Sequence, residues 1–299
     1  MALDSGKLTL PTSVATAIIN KAKDTSTIAT LSPSTPQIFA NADNLVFNGN
    51  SEAEVVEEGA TKSSYEQDVT TLTAKRFKVQ TTTRVTNELQ WADEDNQLEI
   101  IKAIQEDQAA AMGRALDYVI YHAVSPKTGD VLTGYDKLSE KAVQVTSGED
   151  DISNLDALVD AVNDVYDING IALSKTWASV LRKLRVPATG MRFYPEIPMN
   201  LQVGTLDGIT AATSGTVNGR KAKEATNVLA FLGDFNLIKW GMVRDLTAEL
   251  IPYGDPDQTG VDLKAHNQVA YRTEAVYAYT VLDANGFAVL KSPAAAEGE

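Results

Sequence analysis

The side chains of this chain that could perform acid–base or metal chemistry are carboxylates and two histidines, because the sequence contains no cysteine. His122 and His266 are too few for a histidine-based metal site or a catalytic triad, and the zinc-binding pattern His-Glu-x-x-His is absent. His122 falls at the end of a predicted helix, where packing or a favourable contact with the helix dipole is the expected role. The histidines therefore predict no catalytic residue and no metal ligand.

Adjacent carboxylates suggest a hydrolase that uses a general acid and a general base. Asp150 with Asp151 and Glu57 with Glu58 are examples of such pairs. Neighbouring side chains on a strand or a helix point in different directions, so such a pair does not act as an acid–base couple without a third group. We therefore expect no catalytic site in these pairs and expect that the protein is not an enzyme.

Two loops resemble ligand-binding motifs only in part. Gly215 and Gly219 precede Arg220, but their spacing is wrong for a phosphate-binding loop and predicts a flexible turn. The stretch 255–266 has acids at its first and third positions and glycine at its sixth, as in a calcium loop, but His266 stands where the bidentate glutamate belongs. We expect a polar loop between strands there, with no cofactor and no metal.

The composition is that of a folded globular protein with an excess of negative charge. Among 299 residues, 43% are hydrophobic and 22% are charged, and the net charge is −14. The lack of a long apolar run predicts no membrane partner, and the lack of both a secretory signal and cysteine predicts synthesis in a reducing cytoplasm. The acidic charge repels a phosphate backbone, which fits either simple solubility or the wall of a DNA container.

The first 86 residues have the character of segments that lie on a larger body. Residues 1–50 have too few recurring apolar residues for a core, which predicts an arm with a short helix at about 14–22. Residues 51–70 are acidic, residues 71–86 are basic, and both halves alternate as strands do. We expect the halves to pair as an antiparallel hairpin. Because a lone hairpin is marginal in water, arm and hairpin should pack on neighbouring molecules.

The rest of the chain alternates between helical and strand patterns. Apolar residues at three- and four-residue spacing predict a long helix over about 93–123 and further helices over about 152–166 and 175–184, the last capped by Ser174. Residues 187–219 are predicted to be rich in loops. Strands are predicted at 227–232, 237–243, 246–251, 268–279 and 287–290.

The order of these parts resembles the major capsid proteins of tailed bacteriophages. The resemblance begins near Val14 with the flexible arm and the loop that opens with Val55-Val-Glu-Glu-Gly-Ala. It continues with Arg84-Val-Thr-Asn-Glu-Leu and the long helix, and ends near Leu290. The C-terminal segments that carry it are Leu232-Gly-Asp-Phe-Asn-Leu-Ile-Lys-Trp-Gly, Val243-Arg-Asp-Leu-Thr-Ala-Glu-Leu, Asn267-Gln-Val-Ala-Tyr-Arg-Thr-Glu and Phe287-Ala-Val-Leu.

The resemblance implies an α+β chain with the HK-ninety-seven-like phage capsid fold. That fold has an N-arm, an extended E-loop hairpin, a peripheral domain with a long spine helix and a sheet, and an axial domain. The parts would be the N-arm 1–48, the E-loop 49–86, the peripheral domain 87–148 with its spine helix at about 93–123, the axial domain 149–239, return strands to the peripheral domain 240–292, and a disordered tail 293–299.

The function implied by the resemblance is that of a major head protein. It would self-assemble into pentamers and hexamers and form an icosahedral shell around double-stranded DNA, first in the host cytoplasm and finally in the virion. The implied partners are other copies of the chain, DNA held non-specifically, and scaffolding, portal and cement proteins. The alternative is the shell protein of an encapsulin-type nanocompartment, which shares the fold and encloses a protein cargo.

Some members of this family join subunits through an isopeptide bond between an E-loop lysine and an asparagine, promoted by a glutamate. Here Asn267 and Glu274 lie in the matching C-terminal stretch. The lysine position, however, falls near Thr71, with Lys62 and Lys75 out of register. We interpret these residues as solvent-facing sheet and loop and expect no cross-link.

Two blocks of opposite charge follow each other in the sequence. Residues 149–167 hold seven acids and no base, and residues 175–192 hold five bases and no acid. We expect a charge-complementary contact between such blocks, either within one axial domain or between neighbouring axial domains around a rotation axis.

Overall fold

The computed structural model describes residues 26–33, 43–48, 54–59, 61–62, 64, 68–96 and 100–293. Its helices are α1 (Thr27–Leu31), α2 (Asn87–Asn96), α3 (Ile100–His122), α4 (Leu138–Lys141), α5 (Asp151–Asp160) and α6 (Lys175–Lys183). Its strands are β1 (Asp43–Asn48), β2 (Asp68–Thr73), β3 (Lys75–Thr86), β4 (Val143–Thr146), β5 (Gly170–Ser174), β6 (Thr205–Leu206), β7 (Ile209–Ser214), β8 (Val228–Gly233), β9 (Ile238–Ile251), β10 (Gln268–Val281) and β11 (Phe287–Lys291). The fold is α+β, as expected.

The larger sheet has the strand order β4-β11-β8-β5-β7-β6. Strand β4 is parallel to β11, and β5 is parallel to β7. Because β8 is antiparallel to both β11 and β5, strands β4, β5 and β7 all point the same way. Helix α5 connects β4 to β5 and α6 connects β5 to β7, so the two helices return side by side in one direction.

One apolar cluster fills the space between these two helices and the larger sheet. It includes Leu155 of α5, Trp177 and Leu181 of α6, and Leu232 of β8. The indole Nε1 of Trp177 also donates a 2.8 Å hydrogen bond to Asp151, which joins the first turns of the helices. Helix α5 contacts the β4–β11–β8 side and α6 contacts β8, β5 and β7, so the strand order also fixes which helix lies on which side.

The smaller sheet is antiparallel, with β10 between β3 and β9. The register with β9 shifts between Glu274 and Tyr277, which marks a bulge. Strands β1 and β2 form a separate two-stranded hairpin, in register from Asp43 opposite Thr73 to Asn48 opposite Asp68.

Helix α3 contacts both the larger sheet of six strands and the smaller sheet of three strands. Near its start, Gln108 donates a 3.0 Å hydrogen bond to the carbonyl of Tyr271 and accepts one of 2.7 Å from the hydroxyl of Thr273, both on β10. Near its end, the ring of Tyr121 stacks on Phe231 of β8 with centroids 4.4 Å apart. The helix therefore fixes the two sheets relative to each other.

The predicted pairing of residues 51–70 with residues 71–86 is wrong. Strand β2 pairs with β1, and β3 lies along β10. The acids that neutralise the basic strand come from distant parts of the chain: Lys75 pairs with Asp136 at 2.7 Å, and Lys78 pairs with Glu274 at 2.7 Å. Charge complementarity between neighbouring segments was therefore a misleading guide to the strand partner.

The single long helix predicted over about 93–123 is wrong at its start. Two helices, α2 and α3, lie there, and Asp93 of α2 accepts hydrogen bonds from the backbone N–H groups of Ile100 (2.7 Å) and Ile101 (3.2 Å). A carboxylate in this position satisfies N–H groups at the start of a helix and complements its dipole. Helix α3 ends at His122, because Ala123 adopts a left-handed conformation with φ of 49°.

Other expectations differ in outcome. The helices expected near 152–166 and 175–184 are present as α5 and α6, although α5 ends at Asp160. Strands β4, β5 and β7 lie where no strand was expected, and the two strands expected between 237 and 251 are the single strand β9. Strands β4 and β11, assigned above to the peripheral part, both pair within the larger sheet. The helix expected at 14–22 and the tail from 294 lie outside the described residues.

Candidate assembly site

The middle of the N-terminal arm is held on its own subunit by a buried carboxylate. Asp117 of α3 has no solvent exposure. It accepts hydrogen bonds from the hydroxyl of Ser26 (2.5 Å), from the backbone N–H (2.8 Å) and hydroxyl (3.0 Å) of Thr27, and from the N–H of Ile28 (3.2 Å). The hydroxyl of Thr216 donates a further hydrogen bond of 2.5 Å. Five donors from two distant segments thus meet at one side chain.

These donors compensate for the burial of a charged group. Loss of solvent raises the pKa of Asp117, and the hydrogen bonds from Ser26 and Thr216 act in the opposite direction without cancelling that rise. Removal of the carboxylate would leave several buried donors without an acceptor, which is costly. Asp117 is therefore a structural anchor for the arm.

A second set of contacts holds the other end of α1. The hydroxyl of Ser32 donates a 2.7 Å hydrogen bond to the carbonyl of Ile238, and the indole of Trp240 donates one of 3.1 Å to the carbonyl of Ser32. Ile28 is fully buried between these two sets of contacts. The expectation that the arm lies on a neighbouring molecule is therefore wrong for residues 26–32, and residues 1–25 lie outside the described part of the chain.

Sequence reasoning missed Asp117, although a signal was present. The residues around it, from Ala115 to Ile120, are otherwise apolar or aromatic and are all buried. An acid inside such a run must either interrupt the buried face of the helix or have internal partners. Its partners could not be identified, because Ser26 and Thr216 lie about a hundred residues away on either side.

The hairpin of β1 and β2 carries an exposed acidic loop. Within the loop, the described residues from 54 to 59 are exposed or partly exposed, and Val55 is 98% exposed. Glu57 and Glu58 are both exposed, so this pair of carboxylates forms no enclosed site. At the root of the hairpin, Asp136 pairs with Lys75 at 2.7 Å and with Lys141 at 3.0 Å. The loop is thus presented to solvent from a fixed base.

The acidic loop at 255–262 closes around an arginine. Arg84 of β3 donates through Nε to both oxygens of Asp257 (2.9 and 3.0 Å), and its terminal nitrogens reach Asp255 (2.5 Å), the hydroxyl of Thr259 (2.8 Å) and the carbonyl of Val261 (2.8 Å). The hydrogen bond to Asp257 is the main cause that raises the pKa of Arg84. The guanidinium thus occupies the centre of the stretch that resembles a calcium loop.

The residues considered for cross-linking do not come together within one chain. The side chain of Asn267 donates to Glu88 at 2.5 Å and accepts from Asn87 at 2.7 Å. Glu274 is engaged by Lys78. Asn267 precedes β10 and Glu274 lies seven residues further along, a separation of roughly 23 Å in an extended strand.

The remaining polar candidates have structural surroundings. His122 donates from Nε2 to the carbonyl of Val217 at 2.9 Å, and burial lowers its pKa to about 4, so its role is packing and not a cationic contact with the helix dipole. Asp150 caps α5 by accepting from the N–H groups of Ile152 and Ser153, and Asp151 accepts from Trp177. Among the described residues there is no cluster of three potential metal-ligating side chains. No described helix is both long and apolar enough to cross a membrane.

The family is decided by a match over almost the whole length of the chain. The sequence model of the phage capsid family matches residues 6–292. The chain belongs to the phage capsid family.

Solved phage structures agree with this assignment. A chain from Mycobacterium phage Ogopogo is 31% identical with a TM-score of 0.79, and the match covers 91% of this chain and 93% of that one. A chain from Gordonia phage Cozz is 28% identical with a TM-score of 0.79, covering 97% and 93% respectively. The capsid of an empty GTA particle has the same fold at 15% identity, with a TM-score of 0.64 and 91% of each chain covered. Comparison with curated proteins gives no match.

Family membership defines the class of protein. This phage capsid protein has the HK-ninety-seven-like fold, is a structural component of the virion, and is not an enzyme. Its function is self-assembly with other copies into the capsid shell. The surfaces of functional interest are therefore those that contact another subunit.

Proposed function

We propose that the chain is the major capsid protein of a tailed phage, which assembles into pentamers and hexamers of an icosahedral shell around double-stranded DNA. The observation that carries this proposal is the exposed loop between β1 and β2. The described part of the loop includes an almost fully exposed valine, Val55, and Lys75 pairs with Asp136 at the base of the hairpin. An extended apolar and acidic loop of this kind gains stability when it lies on a neighbouring subunit.

The two sheets correspond in this proposal to two functional parts. The smaller sheet with α3 forms the peripheral part, which contacts subunits of neighbouring capsomers. The larger sheet with α5 and α6 forms the axial part, whose loops meet around the five-fold and six-fold axes. Strands β4 and β11 connect the parts, because they belong to the larger sheet although they flank the axial segment in sequence.

The acidic charge supports a weak, non-specific relation to the DNA inside the shell. A net charge of −14 opposes strong adhesion to a phosphate backbone, so the packaged DNA stays mobile against the wall. We further propose that assembly takes place in the host cytoplasm with a scaffolding protein and a portal, and that cement proteins bind the finished shell. No covalent cross-link is proposed, since Asn267 and Glu274 are engaged separately.

The test is expression of the chain alone, followed by sedimentation and analysis of the particle contents. We expect fast-sedimenting closed particles, and particles from infected cells should contain nuclease-protected double-stranded DNA. Particles that enclose an enzyme in place of DNA would favour the encapsulin-type alternative. A chain that stays monomeric at all concentrations, with and without a co-expressed scaffolding protein, would contradict both functions.

A further inference from the structure

The opposite charges of α5 and α6 are not neutralised within the subunit. Asp156, Asp160 and Asp164 are exposed on α5 and the turns that follow it, and Lys183 and Arg185 are exposed at the end of α6. Within the part of the chain that the structure describes, none of these five side chains forms an ion pair. The contact expected within one subunit is therefore not present for these residues.

The acidic residues are placed unfavourably for an isolated subunit. Asp156 and Asp160 are four residues apart on α5, so they lie on one face and repel each other. Asp160 is also the last residue of the helix, where the carbonyl groups make a negative charge unfavourable. The repulsion decreases when positive charge from another molecule lies against these carboxylates.

Each charged segment also contains exposed apolar side chains. Val165, between Asp164 and Asp167, is 74% exposed. On the other face, Met191 is 68% exposed and Phe193 is 41% exposed. An apolar centre with a polar or charged rim is the usual composition of a protein interface.

An isolated backbone bridge places the exposed apolar residues Met191 and Phe193 beside basic residues. Arg185 and Arg192 face each other in an isolated antiparallel bridge, so Met191 and Phe193 flank one arginine of the pair.

The two helices that carry these charges lie side by side over opposite halves of the larger sheet. Helix α5 covers the β4–β11–β8 side of the larger sheet and α6 covers the β5–β7 side, and the helices run in the same direction. A rotation that places neighbouring subunits edge to edge along this layer of two helices would bring the α6 side of one subunit against the α5 side of the next. Contacts of this head-to-tail type close into a ring when the rotation between neighbours is a whole fraction of a turn.

We propose that a second copy of this chain binds here: the basic face formed by Lys183, Arg185 and Arg192 docks on the acidic face formed by Asp156, Asp160 and Asp164 of the next subunit. The inference rests on the proposed assembly into capsomers and names the contact that closes each ring. Because opposite charges guide the approach, ring formation depends on ionic strength and weakens as salt rises above about 0.15 M.

Charge reversal on each face gives the test. One variant carries Lys183→Glu, Arg185→Glu and Arg192→Glu, and the other carries Asp156→Lys, Asp160→Lys and Asp164→Lys. For each variant alone, the yield of rings should fall by about tenfold or more, because like charges then meet at every contact. The matched control for the first variant is Lys127→Glu, Lys221→Glu and Lys264→Glu, which changes the net charge equally at exposed lysines outside both faces. The control should assemble as the original chain does.

A mixture of the two variants makes the test specific. In an alternating ring every contact again joins opposite charges, so the mixture should recover hexamers. A five-membered ring cannot alternate, so pentamers should stay rare. Native mass spectrometry of the capsomers gives both the ring size and the ratio of the variants, and urea midpoints show that each variant is folded.

The outcomes separate this inference from the proposed function. If the original chain and both reversed variants form rings equally well, the contact does not exist, although the capsid function stands. If the mixture recovers no hexamers while each folded variant has lost its rings, the two faces do not meet and the inference is likewise wrong. If the original chain forms neither rings nor shells with a scaffolding protein present, the proposed function fails and this inference fails with it.

Discussion

The carboxylate of Asp117 accepts a 2.5 Å hydrogen bond from Ser26 across ninety-one residues of sequence. This bond joins the middle of the N-terminal arm to helix α3, which contacts both the larger and the smaller sheet. Residues 26–28 of the arm are therefore fixed on their own subunit.

Replacement of Asp117 by alanine should destabilise the subunit. The five donors around it lose their acceptor, and we expect a decrease in the free energy of unfolding of about 3 kcal/mol or more. Urea unfolding measures this decrease, and limited proteolysis should show cleavage near residues 26–33. Asp107→Ala on the same helix is the control, since its side chain is 51% exposed and its ion pair with Arg114 is 3.8 Å long. Equal stability of the two variants would show that Asp117 is not an anchor.

Replacement of Arg84 by methionine should loosen the loop at 255–262. Asp255 and Asp257 then lose their cation, and the backbone N–H groups of Thr259 and Gly260, which donate to Asp255, should exchange with solvent faster. Since both carboxylates keep some contact with water, we expect a loss of about 2 kcal/mol in unfolding free energy.

The control for Arg84 is the exposed pair of Lys78 and Glu274. Lys78→Met removes an ion pair of similar length at a side chain that is 56% exposed, and should change stability by less than about 1 kcal/mol. Arg84→Lys should restore little, because an ammonium group cannot reproduce the fork of a guanidinium. Unchanged exchange of the Thr259 and Gly260 amides in Arg84→Met would contradict the assigned role.

The elements that the sequence predicted well are those whose signal is local. Ser174 caps α6 through a 3.2 Å hydrogen bond from the N–H of Trp177, and the alternating residues from 268 form the central strand β10. Strand β5 was missed because it is buried on both faces, so it shows no alternation.

The parts of the candidate site that escaped prediction depend on distant residues. The partner of β3 lies about 190 residues away, and the carboxylates around Arg84 lie about 170 residues away. Charge and periodicity in a short window contain no information about such partners. The charge blocks of α5 and α6 were visible in the sequence, but only the sheet order placed them over opposite halves of the larger sheet.

Stability should fall in acid because of His122. Its pKa in the folded protein is lowered from 6.5 to about 4 by burial, so below pH 6.5 the unfolded chain takes up a proton that the folded chain does not. The stabilisation that comes from keeping His122 neutral is fully present above pH 6.5 and is lost as the pH falls towards 4. The free energy of unfolding decreases by about 3 kcal/mol over this range.

The measurement is the urea midpoint of the original chain and of His122→Gln between pH 7 and pH 4. The variant should lose less stability over this range, while His266→Gln, which removes an exposed histidine, should follow the original chain. Parallel pH profiles for the original chain and His122→Gln would show that His122 is not buried in its neutral form.

Removal of the exposed loop should abolish assembly without unfolding the subunit. Replacement of residues 49–67 by Asn-Gly gives the two-residue turn that suits the register of β1 and β2, in which Asn48 faces Asp68. We expect an unchanged unfolding midpoint and no closed particles in sedimentation. Particles of normal size from this variant would show that the loop makes no contact needed for the shell.

Electron microscopy with three-dimensional reconstruction of the purified particles tests the central claim most directly. The reconstruction should show a closed shell with pentamers at the vertices and hexamers between them, and in each ring α6 of one subunit should face α5 of the next. A shell built of pentamers alone around a protein cargo, or a preparation that contains only monomers, would contradict the claim that the chain is the major capsid protein of a tailed phage.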